Sequence, residues 1–293
     1  MIRSSLSRLT LTAGVGALLL TACTAAPTAV ETPSAEHIHE LAFDRADDAL
    51  LVATHGGIFR LDLESGAVEG PVGGLDFDAM GLTVARNTAY LSGHPGPTTP
   101  TEFTGPNLGI LASSDGARTW TPLALEGEAD FHSLAVSASR PSRIFGLHGE
   151  TLQRSDDGGS SWTDVSNLVA RDLLAPAGDD AVLYATTPEG LRASRDGGVT
   201  FEAVPDAPAL LLVVDGAVPD GRLVGVDTGG IIWYQTEAGG EWVEGGTVSG
   251  QPAAIMVLPA SGELLVADDR GVVTSDDYGA SWSVVWAADD ALS

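Results

Sequence analysis

Ser155-Asp156-Asp157-Gly158-Gly159-Ser160-Ser161-Trp162 decides the fold, because the chain repeats it. SSDGARTW runs from Ser113 to Trp120, SRDGGVTF from Ser194 to Phe201 and SDDYGASW from Ser275 to Trp282. A fifth and weaker copy, QTEAGGEW, places Glu237 between the last two, and a worn copy, DLESG, lies at Asp62 to Gly66. The acidic positions Asp115, Asp157, Asp196, Glu237 and Asp277 follow one another at gaps of 42, 39, 41 and 40 residues. A period near 40 with about four short strands per unit is the signature of a β-propeller blade.

Within a unit, alternation and turn residues mark the strands. In the third unit HSLAVSA, RIFGLH and TLQRS are followed by the turn and then by SWTDV. First and second strands keep a constant span. His39 to His55, Asp78 to His94, His132 to His148 and Arg171 to Thr187 are each 16 residues apart. From the first-strand marker to the turn acid the distance is 25 for His39 to Glu64, His132 to Asp157 and Arg171 to Asp196, but 37 from Asp78 to Asp115. About 12 extra residues therefore sit in the second unit, visible as the Pro, Gly and Thr loop PGPTTPTEFTGPN after His94. The expectation is one all-β domain over residues 37–293, a six-bladed β-propeller with the repeated turn between strands three and four, and no strand exchanged between first and last blades.

In the turn, Ser and Asp accept hydrogen bonds from turn amides, Gly supplies positive φ and the closing aromatic packs into the blade. The pattern resembles the Asp-box, or BNR, repeat of sialidases, sortilin-type receptors and related propellers. That resemblance implies a structural role for Asp115, Asp157, Asp196 and Asp277 with Trp120, Trp162, Phe201 and Trp282, on the face away from the functional site. At Ser113 the motif departs from the pattern, with Ala117 in place of glycine. HIHELAFD and ATHGGIFRLD, together with the start of the chain, are similar to bacterial lipoproteins labelled as BNR-repeat glycosyl hydrolases.

That start reads as an export signal. Arg3 and Arg8 precede an apolar run from Leu9 to Leu20, and LTAC closes it at Cys23. The run is shorter than the roughly 20 apolar residues needed to span a bilayer. LTAC resembles a lipobox, which implies cleavage after residue 22 and lipidation of Cys23, the chain's single cysteine. Residues 24–36, rich in Ala, Thr and Pro, read as a tether. The expected location is the outer face of a bacterial cytoplasmic membrane, held by the lipid.

The chain has 14 basic and 40 acidic residues and no lysine. Phosphate backbones are held by Lys and Arg clusters, so nucleic acid is excluded as a partner. No GxSxG, HExxH or P-loop pattern occurs.

Chemistry concentrates at one place. All six histidines fall between residues 37 and 148, and the blade geometry puts at least five of them at the mouth of the central channel, opposite the repeated turns. His39, Asp78 and His132 begin first strands; His55, His94 and His148 end second strands; His37 shares a strand face with His39. Asp76 and Asp130 occupy matching positions in units two and three. Two chemistries fit such a ring. Neutral imidazoles with a carboxylate bind a borderline metal, zinc or copper, and the candidate ligands are His37, His39, His55, His94, His132 and His148. Alternatively the ring hydrogen-bonds a small ligand or glycan, or carries out acid–base chemistry. For a glycoside hydrolase the paired-carboxylate candidates are Glu40, Asp78 and Asp130. The sialidase-like version lacks support in the residues: no Arg-Ile-Pro occurs, and only Arg171 among the arginines takes a channel-facing marker position. The reading favours a membrane-anchored binding or assembly module over an enzyme, with the partner, whether small ligand, glycan or protein, left open.

Overall fold

The structure is a computed structural model that describes residues 37–103, 105–216 and 221–288. It is a six-bladed β-propeller. Each blade is a four-stranded antiparallel sheet whose strands follow one another in sequence. Blade one holds β1 (Ile38–Asp44), β2 (Ala49–Thr54), β3 (Gly57–Leu61) and β4 (Val68–Glu69). Blade two holds β5 (Asp78–Ala85), β6 (Thr88–His94), β7 (Ile110–Ser113) and β8 (Thr121–Ala124). Blade three holds β9 (Ser133–Val136), β10 (Ile144–His148), β11 (Thr151–Ser155) and β12 (Thr163–Asn167). Blade four is β13 (Asp172–Leu174), β14 (Leu183–Thr187), β15 (Gly190–Ser194) and β16 (Glu202–Ala203). Blade five is β17 (Leu210–Asp215), β18 (Leu223–Asp227), β19 (Ile231–Gln235) and β20 (Trp242–Thr247). Blade six is β21 (Ala254–Val257), β22 (Leu264–Asp268), β23 (Gly271–Ser275) and β24 (Ser283–Ala287).

The first strands β1, β5, β9, β13, β17 and β21 touch in that order, and β21 meets β1. Closure is by packing, with each blade complete in itself. Leu50, Val52 and Leu61 of blade one share a core with Met256, Leu265 and Val272 of blade six, and Phe59 lies 5.5 Å from the Trp286 ring. A flat sheet cannot bury both of its faces alone, so the apolar stripes of neighbouring blades cover one another. That is why inner strands such as β2 (ALLVAT) are buried at every residue.

The repeated turn joins strands three and four. At Asp157 the carboxylate accepts the Ser155 hydroxyl at 2.8 Å, the Ser161 amide at 2.9 Å and the Ser161 hydroxyl at 2.6 Å. Ser155 Oγ in turn accepts the Gly159 amide at 2.8 Å, and Trp162 Nε1 donates to the Gly159 carbonyl at 3.0 Å. Gly159 has φ of 89°, the left-handed region. The Ser and Asp bonds recur around Asp115, Asp196 and Asp277, whereas Trp282 Nε1 donates to the Thr247 carbonyl instead. Ala117 accepts a φ of 66° to keep the pattern in blade two.

Two turns differ from the sequence expectation. In blade one it is Asp62, not Glu64, that organises the turn, accepting the Ser65 amide at 2.7 Å. In blade five Gln235 replaces the Ser–Asp pair: its Oε1 accepts the Leu223 amide at 3.2 Å and its Nε2 donates to the Gly240 carbonyl at 3.0 Å. A side-chain amide both donates and accepts, so one residue closes the turn without an acid.

The extra residues of blade two lie between β6 and β7. Asp76 holds them, accepting the Thr98 amide at 2.7 Å and the hydroxyls of Thr98 and Thr99 at 2.8 Å each, while Phe103 is buried edge-on against Phe77. Cys23 and the rest of residues 1–36 lie outside the described residues.

Candidate functional site

The starts of the first strands and the ends of the second strands meet at one end of the channel. Asp78 and His94 pair in the β5–β6 ladder, and the amide of His132 donates to the Leu147 carbonyl at 3.3 Å. A bulge in β1 falls between Ile38 and Glu40, at His39. Bulges re-aim a side chain, and here His39 turns toward blade two.

The histidines form two groups, each crossing a boundary between blades. In the first, His55 Nδ1 stands 2.8 Å and His39 Nε2 3.7 Å from Asp78 Oδ1. The imidazoles of His39 and His55 are 4.4 Å apart between centroids, and His37 rests edge-on against His55 at 5.1 Å. One donor atom from each of His39, His55 and Asp78 lies within 4.8 Å of the other two. The 2.8 Å approach does not meet hydrogen-bond angles, so His39 Nε2 and Asp78 Oδ1 are buried with no hydrogen-bond partner among the described residues. Burial holds the His39 pKa down at about 4, with the neighbouring His55 adding to it and Asp78 opposing. His39 is therefore a neutral imidazole at pH 7, the form that ligates a metal.

In the second group Asp130 Oδ2 receives His132 Nε2 at 2.6 Å and lies 3.1 Å from His94 Nε2, and His94 Nδ1 is 2.9 Å from the Pro106 carbonyl of the inserted loop. Burial of Asp130 works against its charge, but the His132 hydrogen bond and the nearby imidazoles outweigh it and hold its pKa down. The same hydrogen bond raises His132. Asp130 Oδ2 thus has a hydrogen bond, which Asp78 Oδ1 lacks, while Asp130 Oδ1 is buried with no hydrogen-bond partner among the described residues, as in the first group. His148 joins neither and packs edge-on to Phe131 at 6.3 Å. The six histidines thus do not form one ring; a three-ligand set containing His132 would need Asp130 to release its partner.

Of the carboxylate candidates, Asp78 and Asp130 are each engaged with imidazoles, while Glu40 lines the central channel. There its side chain is near Asp172, at the start of β13. Asp172 accepts the amides of Leu173 and Val213, both at 2.9 Å, and so ties blade four to blade five. Burial raises both pKa values, and the Asp172 charge pushes Glu40 further. A channel space of about 270 Å³ is bounded by Glu40, Asp172, Arg171 and His132. Sequence reading missed Asp172, although it directly follows the marker Arg171.

No family model matches this chain. The likeness to solved propellers establishes the fold. A GH74 enzyme of Niastella koreensis superposes with a TM-score of 0.61 at 17% identity, covering 84% of this chain and 45% of that one. A GH74 xyloglucanase from Xanthomonas campestris gives 0.55 at 20% identity, covering 84% and 45%. A chain of a nidogen/laminin complex gives 0.58 at 15%, covering 78% and 89%. Among curated proteins, a xyloglucanase of Paenibacillus is 27% identical over 200 residues, which are 59% of this chain and 19% of the enzyme. The dispase autolysis-inducing protein of Streptomyces mobaraensis is 30% identical over 159 residues, 53% of this chain and 41% of that protein. The chain therefore spans well under half the length of these two relatives.

Proposed function

We propose that this chain is a membrane-tethered, extracytoplasmic β-propeller that binds a zinc or copper ion through His39, His55 and Asp78, and serves as a binding module. One observation carries the reading: three good donor atoms converge at the mouth, and two of them are buried without a hydrogen-bond partner. Leaving a buried polar atom unpaired costs about 1–3 kcal/mol, and a metal ion among the three removes that cost. Zinc sits about 2.0–2.1 Å from His nitrogen and about 2.0–2.2 Å from a carboxylate oxygen, within reach of small side-chain rotations. With three protein ligands and an exposed His55, a fourth position stays open to a ligand from solvent. The anchor belongs to the same proposal: LTAC at Cys23 supports lipidation and an outer-face location.

Added zinc or copper should raise the melting temperature of the metal-stripped propeller, and His55→Ala should abolish the increase. An unchanged melting temperature in the parent protein contradicts the reading.

A second reading, glycoside hydrolysis, is favoured by the relatives named as xyloglucanases and by Glu40, whose raised pKa suits a proton donor. Release of reducing sugar from xyloglucan, lost in Glu40→Gln while bound metal is retained, supports it. A protein inert on xyloglucan and on other β-glucans counts against it.

A further inference from the structure

Remote from the channel mouth, between blades four and five, lies an open cavity of about 830 Å³. Its origin is a mismatch of outer strands. The fourth strand of blade four, β16, has two residues, whereas β20 of blade five has six. The inner face of β19 and β20 is consequently left uncovered toward its outer end. Trp242 pairs with Gln235 and Trp233 with Glu244 in that ladder, so both tryptophans stand on one face as diagonal neighbours. Both remain partly exposed, with Tyr184 of blade four lining the opposite wall. Trp242 occupies the position that corresponds to Trp162 in blade three. There it lines the open groove.

The walls are held in place. Trp233 Nε1 donates to Asp227 Oδ2 at 2.9 Å, which fixes the indole, and Gln235 bridges Leu223 and Gly240 beneath the floor. The feet of the three aromatics pack with Leu191, Leu210 and Leu223. The rim is polar and of both signs: Glu202, Asp206 and Glu241 with Arg195. The carboxylates accept hydrogen bonds and Arg195 donates them.

We propose that this groove binds a neutral oligosaccharide. Rigid, partly exposed aromatic faces match the apolar C–H faces of pyranose rings, and a rim of carboxylates and one guanidinium matches hydroxyls, which both donate and accept. The volume lies in the 300–1,000 Å³ range of small-ligand sites. Charge narrows the choice. Three acids against one arginine disfavour an anionic sugar, and the paired tryptophan faces with a rim of both acceptors and a donor favour an uncharged polyhydroxylated ligand. The site is independent of the metal reading, since no residue is shared between them.

The test is a screen of the purified propeller on an array of neutral oligosaccharides of glucose, xylose, mannose, galactose and N-acetylglucosamine, followed by calorimetry on whatever binds. Acidic oligosaccharides and a basic proline-rich peptide are included. The expected result is binding of a neutral oligosaccharide, weakened roughly tenfold or more in Trp242→Ala and unchanged in His55→Ala. Should Trp242→Ala fail to fold, Glu241→Gln, an exposed change at the rim, serves in its place and is expected to weaken binding while the melting temperature holds. No neutral binder, or binding confined to the acidic sugars or the peptide, overturns the proposal. So does a neutral binder whose affinity neither variant changes.

Discussion

His55 Nδ1 of blade one lies 2.8 Å from Asp78 Oδ1 of blade two, yet the two atoms do not form a hydrogen bond. A contact of this length without hydrogen-bond geometry, with a second unpaired donor atom 3.7 Å away on His39, is the arrangement expected of side chains directed at a shared ion. At Asp130, one blade on, one carboxylate oxygen is engaged, since His132 closes on Oδ2 at 2.6 Å with hydrogen-bond geometry, while Oδ1 is buried without a hydrogen-bond partner among the described residues.

The turn between strands three and four should bear on stability and not on the mouth. Ser155 Oγ is buried and bridges Asp157 and the Gly159 amide, so Ser155→Ala leaves the Gly159 amide without this partner, takes one hydrogen bond from Asp157, and should cost about 1–3 kcal/mol in urea unfolding. Trp162→Ala removes a ring stacked on Phe131 at 4.7 Å and should cost about 2–4 kcal/mol. Metal content of the folded variants should equal the parent's. Loss of metal with no change in unfolding would show that the turns serve the site instead.

His39 sets a pH dependence whose sign follows from its depressed pKa. The unfolded chain takes up a proton on this residue near pH 6.5, whereas the folded protein resists it down to about 4. Its contribution to stability is therefore complete above about pH 6.5 and is lost as the pH falls from there through about 4. His132 acts in the opposite sense, because Asp130 raises it: its contribution is present at low pH and fades as the pH rises through its elevated value. Metal-free His39→Gln should therefore lose less stability than the parent between pH 7 and pH 4. Parallel curves for the two proteins would refute the assignment.

How legible was all this in the residues? The period of the repeated turn showed through because every bond in it is local: Ser155, Asp157, Gly159 and Ser161 act within seven positions of one another. The 16-residue spacing of His39 and His55 likewise follows from one hairpin. What the residues did not show depends on contacts between blades. Asp78 joins the histidines of blade one, not His94 of its own hairpin, and Asp172 reaches Val213 one blade on. Neither partner has a fixed separation in sequence. The groove at Trp242 was hidden for a related reason. Its opening arises from a strand that is too short in the neighbouring blade, and in the sequence Trp242 looks like any other closing aromatic. Gln235 shows a further limit, since an amide replaced the Ser–Asp pair by different chemistry at the same place.

The anchor is tested by fractionation. Full-length protein produced in a bacterium should partition with membranes, and Cys23→Ser should move it to the soluble extracytoplasmic fraction with the same melting temperature. Retention of the Cys23→Ser protein on membranes would contradict lipidation at this residue.

The most direct test of the central claim is metal stoichiometry by elemental analysis of untagged residues 24–293, first stripped of metal, then equilibrated with zinc or copper at pH 7.5 and freed of excess. The account predicts close to one ion per chain, reduced to a small fraction in Asp78→Asn and His39→Gln and undiminished in Asp130→Asn. A parent protein that retains no ion, or one whose ion is lost with Asp130 and kept without Asp78, would contradict it.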